Sequence, residues 1–162
     1  ESYALTIQYR PDAADQVKLN LGVSFFRAGA LDRARLEFLK LMDSPVAAAA
    51  WRNMGVLESS VGNLDGALEA LRRSAEIQPN SEIYSAQGRI YLEKGMPDQA
   101  MEQLRLALDR RPDLGPAHIN LALAYQNKGQ VDEAKRILAE FIRRYPGSTY
   151  RVQARERLDA LD

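Results

Sequence analysis

The sequence predicts an all-α fold made of repeated pairs of helices. A motif of the form Gly-x-(apolar or Pro)-Asp-x-Ala occurs four times, and its alanines lie 33, 33 and 34 residues apart: Ala34, Ala67, Ala100 and Ala134. A second series keeps nearly the same step, with spacings of 34, 34, 33 and 34: Pro11, Pro45, Pro79, Pro112 and Pro146. A fixed period of this length is typical of proteins in which each repeat is one supersecondary unit stacked on the next.

Each period is predicted to contain two helices. In the second period Trp51, Met54 and Glu58 follow one another at steps of three and four residues, which is helical spacing. Gly62 then marks the end of that helix, because glycine readily adopts the left-handed conformation that follows many helices. Asp65 is expected in the first turn of the second helix, where a carboxylate interacts favourably with the helix dipole. In the third period Pro97 is expected just inside the start of its helix.

Small residues mark the places where the two helices of a repeat are expected to cross. Gly22, Gly55, Gly88 and Ala122 each lie twelve residues before one of the repeated alanines. At such a crossing a side chain larger than a methyl group would hold the two backbones apart. We therefore expect Gly55 and Ala67 to lie at the contact between the helices of the second repeat, with larger side chains such as Trp51 and Leu71 between repeats.

These positions resemble those of the tetratricopeptide repeat (TPR), whose signature places Trp, Leu, Gly, Tyr, Ala, Phe, Ala and Pro within 34 residues. The resemblance covers about residues 15–146 and is carried by Leu21, Gly22, Phe25, Ala34 and Phe38, by Trp51, Gly55, Ala67, Leu71 and Pro79, by Tyr84, Gly88, Tyr91, Ala100, Leu104, Ala107 and Pro112, and by Leu121, Ala122, Tyr125, Ala134, Leu138 and Pro146. Departures occur where Lys18 and His118 replace the large aromatic residue and where Glu58 replaces the tyrosine. We expect looser packing there, with His118 serving as a packing residue whose ring nitrogen has a partner.

The resemblance implies an all-α TPR superhelical solenoid of antiparallel helix pairs with a C-terminal capping helix. Residues 1–162 are interpreted as one TPR domain, in which residues 1–11 are the trailing helix of a preceding repeat and the chain is therefore expected to derive from a longer one. The predicted segments that follow are four repeats, 15–47, 48–80, 81–114 and 115–147, and a capping helix at 148–161. Terminal repeats need such a cap, since the last apolar seam would otherwise face water.

Composition excludes several classes of site. The chain has no cysteine and one histidine, which rules out a cysteine-ligated or multi-histidine metal site. Phosphate-binding glycine loops and catalytic triad motifs are absent from the sequence, so we expect no enzyme activity, no cofactor and no small-molecule substrate. The 22 basic and 22 acidic residues balance, so overall charge gives no reason to expect nucleic acid as the main partner. No apolar run approaches the roughly 20 residues of a membrane-spanning helix.

The TPR resemblance implies that the first helix of each repeat lines a concave groove. In this register the polar residues expected to form a peptide-binding groove are Asn20, Arg27, Arg52, Asn53, Arg89, Asn120 and Asn127. Asparagine recurs at the same register in three of the four repeats, and an amide can both donate to and accept from the main chain of a peptide. The predicted function is therefore a protein–protein interaction scaffold, which binds an extended segment or helix of another protein in this groove.

Two alternatives stay open. The first is an assembly module that associates with further copies of itself through its ends or its convex face. The second is binding of RNA or of an acidic partner through the basic C-terminal stretch, which holds seven cationic residues against Glu140 and Glu156: Lys135, Arg136, Arg143, Arg144, Arg151, Arg155 and Arg157. Cations near helix ends on a solvated face would explain this stretch without a function.

Overall fold

The computed structural model describes residues 11–161, and over that range the chain is helical with short connections. We number its helices in chain order: α1 Pro11–Arg27, α2 Leu31–Leu39, α3 Ala47–Ser60, α4 Leu64–Ile77, α5 Ser81–Glu93, α6 Pro97–Arg110, α7 Gly115–Asn127, α8 Val131–Arg144 and α9 Arg151–Asp159. The all-α prediction is confirmed for these residues. The trailing helix predicted at the N-terminus lies almost entirely outside them, and Pro11 is the first residue of α1.

The helices pack in pairs, and the chain divides into two compact units. The unit that ends at Pro79 contains the pairs α1–α2 and α3–α4, and the unit that begins at Asn80 contains α5–α6, α7–α8 and the final helix α9. Within every pair only three residues separate the two helices, for example residues 61–63 between α3 and α4. So short a connection obliges the two helices to run antiparallel if they are to pack along their lengths.

The turn inside each pair has one repeated geometry. Gly29, Gly62, Gly95 and Gly129 have φ of 75, 78, 70 and 74°, and they are the glycines of the repeated motif. After α3, the amide of Asn63 donates to the carbonyl oxygen of Glu58 at 2.9 Å, which closes the six-residue loop that satisfies the orphan carbonyl groups at a helix end. The predicted left-handed role of Gly62 is confirmed, since other residues pay about 1–2 kcal/mol for that conformation.

The predicted helix crossings are also confirmed. A methyl group on Gly55 would lie 2.8 Å from Leu71 Cγ and 3.3 Å from the carbonyl oxygen of Ala67. The contact at Gly88 is closer still, because a methyl group there would lie 2.5 Å from Leu104 Cγ. Distances below about 3 Å cannot be tolerated without movement, so these glycines set how closely the helices of their pairs approach.

The residues at the turns favour the positions at which the next helices begin. Asp65 lies in the first turn of α4 and Pro97 is the first residue of α6, as predicted. The cap of α4 was not predicted: Asn63 accepts a hydrogen bond at Oδ1 from the amide of Gly66 at 3.1 Å. Asn80 caps α5 in the same way through the amide of Ile83 at 2.9 Å. Each cap satisfies one of the amide donors that a helix start leaves unpaired.

The final helix covers the end of the second unit. Ala154 of α9 is completely buried in a cluster with Leu138, Phe141 and Ile142, and Leu158 and Leu161 pack against the edge of that cluster. Solvent reaches the other face of α9, where Val152 is 68% exposed. The helix therefore closes an apolar surface that α8 would otherwise present to water.

Candidate functional site

The groove residues predicted in the first unit lie on α1 and α3, which contact each other directly. Asn20 and Arg27 are exposed on α1, and Arg52 is exposed on α3. The amide of Asn20 already has a local partner, because its Oδ1 accepts from Gln16 Nε2 at 3.1 Å. Arg27 and Arg52 have no ion-pair partner among residues 11–161, so both guanidinium groups face solvent.

The groove residues predicted in the second unit lie on α5 and α7, which also contact each other. Arg89 is exposed on α5, but an ion pair joins it to Glu93 one turn further along the same helix. Asn127 is exposed in the last turn of α7. The structure thus places each predicted residue on a first helix of its pair, and it gives Arg89 an intrahelical partner, Glu93, that was not predicted.

Asn53 and Asn120 differ from the other predicted groove residues. Both are half-buried, and over the described part of the chain neither side-chain amide makes a hydrogen bond to another residue. A partly desolvated amide without a protein partner retains two donor hydrogens and an acceptor oxygen for a ligand. Partial burial together with the lack of a partner among the described residues sets these two amides apart from the other predicted groove residues.

Glu58 replaces the tyrosine of the repeat signature, and the structure shows a polar network at this position. Glu58 is 9% exposed. One carboxylate oxygen pairs with Arg35 of α2 at 2.9 Å, and the other accepts from Asn63 Nδ2 at 2.8 Å. Asn63 at the same time caps α4 through its Oδ1. Glu58 therefore links α2, α3 and the start of α4, a role that its position in the repeat does not reveal.

His118 packs on aromatic rings, as expected. Its ring centroid lies 4.9 Å from that of Phe141 and 6.0 Å from that of Tyr145. Nε2 lies 2.8 Å from the carbonyl oxygen of Pro112, and because a carbonyl can only accept, Nε2 carries the proton. Burial lowers the pKa of His118 below its ordinary value of 6.5, an effect that the Pro112 carbonyl opposes. The neutral ring is therefore the stable form at neutral pH.

The basic C-terminal stretch is divided by the structure. Arg136 pairs with Glu133 one turn earlier in α8 at 2.6 Å, and Arg144 lies over the ring of Tyr145 at 5.7 Å. Three others, Arg143, Arg151 and Arg155, line one cavity of about 320 Å³ between α8 and α9. These three side chains of the basic stretch are therefore gathered at one place.

The described residues contain neither a metal-binding cluster nor a membrane-spanning helix. Within residues 11–161, no three His, Asp or Glu side chains are grouped so that they could hold a metal ion. Over the same range, every helix is too short or too polar to cross a lipid bilayer.

The chain is similar to tetratricopeptide-repeat family models and to a curated human protein. Two family models described as tetratricopeptide repeat match residues 54–115 and 91–161, so that together they cover 54–161. Human protein O-mannosyl-transferase TMTC1 is 26% identical over 117 residues, which are 69% of this chain and 13% of that protein. The chain thus spans about an eighth of the length of this curated relative.

Several solved structures of MamA have a similar fold. A crystal structure of MamA protein has a TM-score of 0.74 at 22% identity, covering 89% of this chain and 79% of the other. MamA AMB-1 has a TM-score of 0.69 at 26% identity, with coverage of 86% and 77%. The MamA RS-1 ArsTM double mutant reaches 0.76 at 15% identity, with coverage of 91% and 82%.

The repeat motif, the antiparallel helix pairs and these matches agree. Repeats of this kind form scaffolds for protein interaction, and the C-terminal helix closes the last pair as the predicted cap. The chain belongs to the tetratricopeptide-repeat family.

Proposed function

We propose that this chain binds an extended segment or helix of another protein on a face formed by the first helices within one of its two compact units. In the first unit that face is provided by α1 and α3, and in the second by α5 and α7. The observation that carries the proposal is a half-buried side-chain amide that has no hydrogen-bond partner among residues 11–161 and recurs at one register of the repeat: Asn53 in the first unit and Asn120 in the second. No catalysis and no cofactor form part of the proposal, and the transferase activity in the name of TMTC1 is not assigned to this chain.

The physical argument rests on desolvation. A peptide main chain that covers a half-buried amide removes the remaining water from it, and its own N–H and C=O groups can replace that water. Leaving such a group without a partner costs about 1–3 kcal/mol, so the fit at each amide discriminates between seated and displaced peptides. The exposed Arg27, Arg52 and Asn127 lie in solvent, where a contact contributes about 0–1 kcal/mol. Arg27 and Arg52 are expected to guide acidic partners by their charge, and none of the three side chains is expected to dominate affinity.

The test begins with a pull-down by the whole chain from a lysate of the organism that makes it. The captured protein is then titrated against the wild type, Asn53→Ala/Asn120→Ala, and the matched control Gln78→Ala/Gln99→Ala. The control removes two exposed amides that do not belong to first helices. We expect the asparagine variant to bind at least tenfold more weakly and the control to bind like the wild type.

Salt separates this binding mode from the basic stretch. Binding through amides should depend weakly on ionic strength, whereas binding through exposed arginines weakens steeply as salt screens the charges. Unchanged affinity in the asparagine variant, with a steep salt dependence, would contradict the proposal. Sedimentation of the chain alone tests the self-association alternative, since assembly without any partner would favour it.

A further inference from the structure

A small cavity between α8 and α9 combines three arginines with an apolar floor. Arg143 comes from the last turn of α8, and Arg151 and Arg155 lie one turn apart on α9. Ala139, Ile142 and Leu158 line the same cavity, whose volume is about 320 Å³. Ile142 is only 6% exposed, so the floor belongs to the apolar cluster that α9 closes.

The three guanidinium groups have no internal partner over the described residues. Other arginines of this chain do pair: Arg111 forms an ion pair with Glu82, and Arg72 with Glu69. The two carboxylates of the basic stretch face other clefts, since Glu140 lies in the cleft beside His118 and Glu156 lies beside Gln153. The cavity therefore collects three cations, none of which has a carboxylate within ion-pair distance among the described residues.

Helix stability does not explain this arrangement. Arg151 is the first residue of α9, where the positive end of the helix dipole disfavours a cation. Arg155 follows one turn later on the same face, and like charges four residues apart repel. Cations near the ends of helices are favourable only at C-termini, which accounts for Arg143 but for neither residue of α9.

We propose that this cavity binds a short acidic segment of a partner protein that carries one aliphatic side chain between its carboxylates. The planar guanidinium group matches a carboxylate with two parallel hydrogen bonds, and the apolar floor receives the aliphatic side chain. The volume lies at the lower end of the range for ligand sites, which suits one side chain and its flanking groups. This site is separate from the face of first helices and does not depend on its occupancy.

The lining favours a peptide over RNA. Single-stranded RNA is held mainly by aromatic side chains on which its bases stack, together with cations along its backbone. The residues that line this cavity include no aromatic ring, and an aliphatic floor offers a base nothing comparable. RNA is accordingly treated as an outcome of the test.

The experiment uses fluorescein-labelled probes and anisotropy titration of the whole chain. One peptide has the sequence Asp-Glu-Leu-Glu-Asp, the second replaces its leucine by serine at equal charge, and the third probe is an oligouridylate of about 12 nucleotides. The variants are Arg143→Gln/Arg151→Gln/Arg155→Gln and Ala139→Glu, which places a carboxylate in the cavity and leaves the arginines intact. Arg72→Gln/Arg73→Gln, on the exposed surface of α4, controls for loss of positive charge.

We expect the leucine peptide to bind the wild type and the α4 control equally, and to lose at least tenfold in affinity in both cavity variants. The serine peptide should bind several-fold more weakly than the leucine peptide. Equal affinity for the two peptides, tighter binding of the oligouridylate, or no binding of any probe would overturn the proposal. Circular dichroism of each variant shows whether it is folded, and Ala139→Glu provides the result if the triple variant is not.

Discussion

Replacing Gly88 by alanine tests the helix crossing of the third repeat. Gly88 lies inside α5, and the added methyl group would lie 2.5 Å from Leu104 Cγ and 3.2 Å from the carbonyl oxygen of Ala100. Leu104 is completely buried, and its Cγ is a branch point that cannot move without the rest of the side chain. The substitution therefore forces either the leucine or the helix backbone to shift.

Helix propensity and overpacking change the free energy of unfolding of Gly88→Ala in opposite directions. Alanine is favoured over glycine inside a helix by about 1 kcal/mol, which would stabilise the variant. Overpacking a tight contact typically costs about 1–3 kcal/mol. Because the contact is with a fully buried side chain on one side and with backbone on the other, we expect the overpacking to prevail. The net result should be a loss of up to about 2 kcal/mol in the free energy of unfolding.

The assay is urea denaturation followed by circular dichroism, with Leu104→Ala and the double variant Gly88→Ala/Leu104→Ala completing a cycle. Leu104→Ala alone should lose about 2–5 kcal/mol, since it leaves a cavity. In its presence the clash is absent, so Gly88→Ala should become neutral or stabilising. If Gly88→Ala stabilises the wild type by about 1 kcal/mol, as an uncrowded helical glycine would, the crossing is not as tight as described.

Three further changes test other parts of the fold. Ala67→Leu should lose about 1–3 kcal/mol or more, because Ala67 is completely buried at the α3–α4 crossing, and a melting temperature equal to that of the wild type would refute this. Removing residues 148–162 should uncover Phe141 and Ile142 and cause concentration-dependent association in sedimentation velocity, whereas a truncated chain that stays monomeric would contradict the capping role of α9. For His118, whose pKa burial lowers in the folded state, stability is fully present above the unfolded pKa near 6.5 and declines as the pH falls below it towards the lowered folded pKa. Denaturant midpoints between pH about 7.5 and about 5.5 should therefore fall less in His118→Phe than in the wild type, and equal slopes would show that His118 does not carry the effect.

Most of the fold follows from the repeat. The spacing of the motif alanines predicted the helix pairs, and local backbone chemistry predicted the left-handed turn at Gly62 and the start of α6 at Pro97. Close approach at Gly55 was predictable because only a small residue leaves room for a crossing. Each of these features depends on one residue type at one position of the period. Such a position is easy to recognise in a single sequence, because the sequence contains several repeats.

Interactions that join different repeats or different helix pairs were not predictable. The link from Glu58 to Arg35 depends on how α2 lies against α3, and the sequence suggests only that a tyrosine is missing. The capping role of Asn63 arises at one turn of the four and is not part of the motif. The basic stretch was recognised, but the position of Arg151 beside Arg143 depends on the path of residues 145–150 between α8 and α9. The ion pair between Arg89 and Glu93 is different, because the two residues lie four apart in one helix and their spacing alone would have predicted it.

Hydrogen–deuterium exchange of the whole chain, with and without a captured partner, tests the central claim most directly. If the partner lies on the first helices of a unit, amides of α1 and α3, of α5 and α7, or of both pairs should exchange more slowly in the complex, with the largest change around Asn53 or Asn120. The second helices α2, α4 and α6 should change little. Protection confined to the second helices or to α9, with first helices unchanged, would contradict the account.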